Sequence, residues 1–256
     1  MLFDSHAHYD DDAFNEDRDI LLGSLPQKGV GFVLNAGSNL ASSRESVRLA
    51  EKYDYFWAAA GIHPHDAKDA PVDFESKIEE LFSFYKVVAI GEIGLDYHYN
   101  FSSPKIQKEV FARQLDFAGK IKKPIIVHDR EAHQDVMELI KPARQNLSGG
   151  VFHCYSGSVE MLKDVLDMGF YISLGGAVTF KNARRVLDVI SYVPLDRLML
   201  ETDAPYMTPE PFRGARNDSS KIVLVAARIA ELRGISTAEL EQITESNTKA
   251  FFGISN

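Results

Sequence analysis

The stretch VVAIGEIGLDY, residues 87–97, decides how this chain is read. Val87–Ile93 is a short apolar run that carries one acid, Glu92, among Val88, Ile90 and Ile93. Such a run reads as a strand. A carboxylate set inside it needs a partner or a metal ion, because leaving water costs a bare charge several kcal/mol.

Similar runs recur along the chain at Leu2–His6, Val30–Ala36, Phe56–Ile62, Pro124–His128, Gly150–Cys154, Phe170–Leu174 and Arg197–Asp203. Amphipathic stretches lie between them. In SVEMLKDVLDMG, Ser158 is placed to cap a helix, Leu162, Val165 and Leu166 form its apolar stripe, and Gly169 stops it. In SPKIQKEVFARQLDFAGKIKKP, Ile106, Val110, Phe117 and Ile121 recur near helical spacing. Strand and helix in alternation predict parallel βαβ units. About eight of them in 256 residues predict an α/β fold, a (β/α)8 TIM barrel, as one domain over residues 1–256. No G-x-G-x-x-G follows an early strand, which argues against a dinucleotide-binding sheet. Lys221–Phe252 reads as helix, turn and helix, packed on the barrel.

The composition, 45% hydrophobic and 25% charged, is that of an ordinary globular protein. A single cysteine leaves no internal disulfide and fits a reducing cytoplasm. No signal peptide and no membrane span are expected. The formal net charge of −9 argues against wholesale coating of nucleic acid, but not against a focused site that grips one phosphate.

The candidate chemistry gathers at the C-terminal ends of the expected strands, the rim that carries active sites in this barrel type. In DSHAHYD, His6 and His8 stand two apart on a strand and so point the same way. GIHPH supplies His63 and His65, strand four Glu92, PIIVHDR His128, GVFHCYSGS His153, and LMLETDAPY Glu201 and Asp203, again two apart. One histidine after an apolar run is more often an ordinary packed residue than a ligand. Six donors on one rim, His6, His8, Glu92, His128, His153 and Asp203, make a metal centre the better reading, and their number suits two ions bridged by a carboxylate. Glu92 is the natural bridge. Asp203 is placed to take a proton from the attacking water, and Glu201 to orient a ligand. Arg130, Arg213 and Arg216 are candidate phosphate contacts, and Tyr97, Tyr155 and Tyr206 are rim aromatics suited either to base stacking or to packing.

Taken in order, DSHAH, GIHPH, IGEIGLDY, PIIVHDR, HCYSGS, YISLGG and LETDAPY followed by RGARN resemble the TatD family of metal-dependent deoxyribonucleases from Asp4 to about Asn217. The resemblance implies a TIM barrel of the amidohydrolase type with two divalent cations, whether zinc, manganese, magnesium or nickel. It implies hydrolysis of DNA phosphodiesters, typically 3′-to-5′ and at single-stranded or 3′ ends. By position, His6, His8, Glu92 and Asp203 match one ion's ligands, and Glu92, His128 and His153 the other's. His63 matches a histidine near the substrate phosphate, and His65 is its neighbour. Two departures stand out: Ala7, where the family often has cysteine, and RNDSS, where proline commonly follows RN. A monomer is the default expectation. The competing readings are a small-molecule metal hydrolase acting on a lactone, amide or phosphoester, and a non-catalytic metal-binding scaffold. An open basic groove would favour the nuclease and a closed pocket the small-molecule enzyme.

Overall fold

A computed structural model describes residues 1–99 and 101–254. Eight strands form one sheet in the order β1 to β8, with helices between them, the (β/α)8 TIM barrel expected from the alternation. The strands are β1 Leu2–Ala7, β2 Val30–Ala36, β3 Phe56–Ala60, β4 Val87–Asp96, β5 Ile125–Arg130, β6 Gly150–Phe152, β7 Tyr171–Leu174 and β8 Leu198–Leu200. The helices are α1 Arg18–Ser24, α2 Leu40–Lys52, α3 Phe74–Leu81, α4 Pro104–Ile121, α5 His133–Ala143, α6 Val159–Asp167, α7 Arg184–Tyr192, α8 Ile222–Arg233 and α9 Thr237–Phe252. All ten residues of β4 are buried, the pattern of a parallel strand covered on both faces.

The chain divides into two compact units. The first comprises residues 1–35, 154–167 and 171–256, the second residues 36–153 and 168–170. In the first, β1 pairs parallel with β2 and β7 with β8. There β1 also meets the segment beyond β8 through an isolated parallel bridge, Ala7 to Ala204. The C-terminal pair α8 and α9 belongs to this unit, as the tail pattern predicts, and Ser236 caps α9 by accepting from the Glu239 amide. In the second unit β3, β4, β5 and β6 pair in sequence.

Strand ends differ from the sequence reading where the chain leaves the ladder early. β6 stops at Phe152 and β8 at Leu200, and Cys154 and Asp203 take left-handed φ values of 42° and 57°. A left-handed residue turns the backbone out of a sheet. β4, by contrast, runs to Asp96, three residues beyond expectation. Gly94 makes that possible. Its φ is 149°, and a Cβ there would fall 1.9 Å from the His128 carbonyl oxygen, so only glycine lets β5 approach so closely. The stripe of α4 also differs: Val110 and Phe117 are buried as expected, but Ile106 is exposed, and the buried face runs instead through Gln107, Phe111, Gln114 and Leu115. Among the described residues, no helix is long and apolar enough to cross a membrane.

Candidate metal centre

In the first unit β1 ends at Ala7, with His6 inside the strand and His8 just beyond it, and the two imidazoles meet. Their Nε2 atoms lie 3.0 Å apart, and His8 Nε2 is 3.5 Å from Asp203 Oδ1. Asp203 is not carried by a strand. Its amide donates to the His6 carbonyl at 3.0 Å, and the His8 amide donates to the Ala204 carbonyl at 2.7 Å, so paired backbones fix the three side chains. One ligand atom from each of His6, His8 and Asp203 lies within 4.8 Å of the others. Ligands at about 2.1 Å from one zinc-like ion are separated by roughly 3–4 Å, so this donor set fits a divalent cation.

Behind it lies a buried acid that strand patterning does not single out. Asp4 is fully buried and accepts from the Thr202 amide at 2.9 Å, the Thr202 hydroxyl at 2.5 Å, the Ser219 hydroxyl at 2.6 Å and the His6 amide at 3.3 Å. Tyr9 donates in turn to Ser219 at 2.8 Å. One carboxylate thus ties β1 to the segment that carries Asp203. Burial pushes its carboxyl up to about 6, against the pull of those four donors. The signal that could have found Asp4 is its place in an otherwise apolar strand start, LFD, two residues before a candidate ligand.

In the second unit the donors converge on one oxygen. Glu92 Oε1 lies 2.6 Å from His128 Nδ1, 2.6 Å from His153 Nε2 and 3.6 Å from His63 Nε2. His128 Nδ1 and His153 Nε2 are 3.1 Å apart. Nitrogen and carboxylate donors packed this closely suit zinc, manganese or nickel. Glu92 is buried in β4, and His63 follows β3, its Nδ1 accepting from the His65 amide at 3.1 Å.

Asp96 completes this cluster, four residues after Glu92 and therefore on the same face of β4. Its Oδ2 meets His128 Nε2 at 3.1 Å and His65 Nε2 at 2.9 Å, while Oδ1 accepts from the amides of His98 and Tyr99, both at 2.9 Å. A carboxylate on the far nitrogen of a ligating imidazole fixes its tautomer and orientation. Burial would raise Asp96, but the bonds from His128 and His65 outweigh it and hold the carboxyl well below its usual range. Burial would likewise lower His128, yet the Glu92 charge and the Asp96 bond carry it up to about 9.

Two glutamines on α4, seven residues and so about two turns apart, hold the backbones that present these groups. Gln114 accepts from the Ile62 amide at 2.8 Å and donates to its carbonyl at 2.9 Å, just before His63. Gln107 accepts from the Asp96 amide and donates to the Asp96 carbonyl, each at 2.9 Å. Polar residues on the buried face of an amphipathic helix were the available sign.

Among the remaining candidates, Glu201 keeps a carboxylate oxygen within 4.8 Å of a His6 ring nitrogen. Glu201 is buried and takes the Ser173 hydroxyl. It and Asp203 both lie past the end of β8, so strand alternation does not run through them. Arg130 is exposed with its guanidinium 5.0 Å above the Tyr99 ring. Arg213 lies 4.0 Å over Phe180. Arg216 is engaged by Asp17 at 2.8 and 2.6 Å and by the Ala13 carbonyl. Of the rim aromatics, Tyr97 donates to Asp135, Tyr155 is buried and donates to the Ser158 carbonyl, and Tyr206 donates to Asp11. The histidines outside the candidate set are paired at the surface, His98 with Glu131 and His133 with Asp129, each at 2.8 Å.

Known proteins resemble this chain over nearly its whole length. The family model for TatD-related DNases matches residues 3–253. An uncharacterized metal-dependent hydrolase, YabD of Bacillus subtilis, is 41% identical over 254 residues, covering 99% of this chain and 100% of the relative. The 3′-5′ ssDNA/RNA exonuclease TatD of Escherichia coli K12 is 36% identical over 261 residues, covering 99% of each. The crystal structure of YjjV, a TatD homologue from the same organism, superposes with a TM-score of 0.93 at 30% identity over 99% of this chain and 98% of that one. The chain therefore belongs to the TatD family of metal-dependent hydrolases.

Proposed function

We propose that this chain is a divalent-metal-dependent exonuclease that shortens single-stranded DNA from its 3′ end. The observation that carries the reading is the convergence of three imidazoles on one buried oxygen of Glu92 in the second unit; the first unit separately holds the donors His6, His8 and Asp203. The assignment of Glu92 to both ions comes from the sequence pattern alone. The exonuclease named TatD, similar over its whole length, supports the substrate class.

Divalent cations held by these residues would supply Lewis-acid polarisation of the phosphodiester and of the attacking water. The chain does the rest. Asp203 accepts the proton of the attacking water, and Glu201 stays in the buried network that orients the ligands. Asp96 keeps His128 turned with Nδ1 toward Glu92. His63 meets the substrate phosphate with Nε2–H, since its Nδ1 already accepts a backbone amide. His65, Arg130, Arg213 and Arg216 contact further phosphates, Arg216 by exchanging Asp17 for substrate. The enzyme acts in the cytoplasm as a monomer.

The test is metal-stripped protein incubated with 5′-labelled single-stranded DNA and magnesium, manganese or zinc in turn, with Glu92→Ala alongside. Stepwise shortening that needs metal and is lost in the variant supports the proposal. Hydrolysis of a lactone or a simple phosphodiester with no cleavage of DNA would overturn it in favour of a small-molecule hydrolase.

A further inference from the structure

Two aromatic side chains in the second unit stand in water where burial would be favourable. Tyr99 is 41% and Phe101 55% exposed, and their rings lie nearly parallel, 14° between planes and 5.5 Å between centroids. Neither is left to swing. His65 meets both edge-on, 5.5 Å from Tyr99 at 90° and 4.9 Å from Phe101 at 77°. Arg130 lies 5.0 Å over Tyr99, and His98 meets Tyr99 edge-on at 4.6 Å. The backbone beneath is pinned as well, because the Tyr99 amide donates to Asp96 Oδ1. The same Asp96 bonds His65 and His128, so one buried carboxylate joins this aromatic pair to the candidate metal cluster.

Adjoining exposed aromatic faces rimmed by polar groups are a candidate recognition surface. The chemistry here selects the occupant. Exposed π-faces in a stack accept another flat ring, and the guanidinium over Tyr99 attracts an anionic backbone. We propose that Tyr99 and Phe101 form a stacking ledge for one unpaired nucleobase of the strand, with Arg130 on the adjoining phosphate. This rests on the nuclease reading and deepens it. A base can lie on the ledge only when it is free of its duplex neighbours, and every base offers a π-face. The ledge therefore gives preference for single strands with little preference for sequence.

Steady-state kinetics of the metal-loaded enzyme on short single-stranded DNA tests this. Phe101→Ala is expected to raise KM about tenfold with kcat within about twofold, and Phe101→Trp to restore KM. A strand carrying an abasic nucleotide at the position that meets the ledge should cost the wild type the same factor and cost Phe101→Ala nothing further. Unchanged KM in Phe101→Ala, or an abasic penalty that simply adds to the mutation, overturns the ledge while leaving the nuclease intact. A wild type that cleaves no strand with any metal overturns both.

Discussion

The two units hold their imidazoles by different means. In the first, Asp4 grips backbone and hydroxyl groups: it bonds the Thr202 and His6 amides and two hydroxyls, and does not itself reach the ring of a candidate ligand. In the second, Asp96 takes Nε2 of both His65 and His128 with one oxygen and the His98 and Tyr99 amides with the other. The difference follows from what carries the donors. Asp203 lies off the sheet with a left-handed backbone, so its position must be fixed through the chain itself. His128 sits on β5 in register with Gly94, its backbone already set by the ladder, and only the ring remains to be oriented. We propose that Asp4 serves the fold and that Asp96, besides holding backbone, orients the rings of candidate ligands.

The largest expected effect is at Glu92. Glu92→Ala removes the oxygen shared by three imidazoles and should cut metal-dependent hydrolysis on the order of a thousandfold, measured as kcat/KM with each metal. Next, Asp96→Ala should weaken metal binding about 10–100-fold, read by titration of stripped protein, with a smaller loss of global stability. Asp4→Ala should show the reverse balance. Leaving several buried donors unmatched should cost about 3 kcal/mol in denaturant unfolding, while the loss of metal affinity in folded protein stays smaller. If Asp4→Ala proved stable but metal-deficient, and Asp96→Ala unstable, the contrast between the units would collapse.

The smallest effect is at the surface. Arg216 holds the Asp17 carboxyl below its ordinary value. A depressed carboxylate gives stability that is present above its unfolded pKa of 3.8 and is lost as pH falls through the lower folded value. Both side chains are well exposed, so the pair should contribute less than about 1 kcal/mol. Arg216→Ala should thus leave stability at neutral pH nearly unchanged, and any large loss of DNA affinity would mark a substrate contact rather than a structural one.

Much of the fold was legible, because eight apolar runs with helical stretches between them leave few other solutions. The ligand candidates were legible too, since histidines and acids at strand ends stand out against apolar neighbours. What lay hidden depended on tertiary contacts. Asp96 follows a glycine whose unusual backbone extends β4, and nothing local announces that extension. Gln114 shares the helix face of Val110 and Phe117, but Gln107 looks like a solvated position until the buried face of α4 is seen to be offset from Ile106. Tyr99 and Phe101 carry no local signal that separates them from Tyr97, Tyr155 and Tyr206, whose hydroxyls the structure ties to protein partners. Hydrogen bonds between distant residues decide such cases, and residue spacing does not encode them.

We propose two ions per chain, one held chiefly by His6, His8 and Asp203 and the other by Glu92, His128 and His153. Metal content of reconstituted protein, measured by elemental analysis for wild type, His6→Ala and His128→Ala, tests it most directly. About two ions per chain are expected in the wild type and about one in each variant. One ion in the wild type, or no change in either variant, would contradict it.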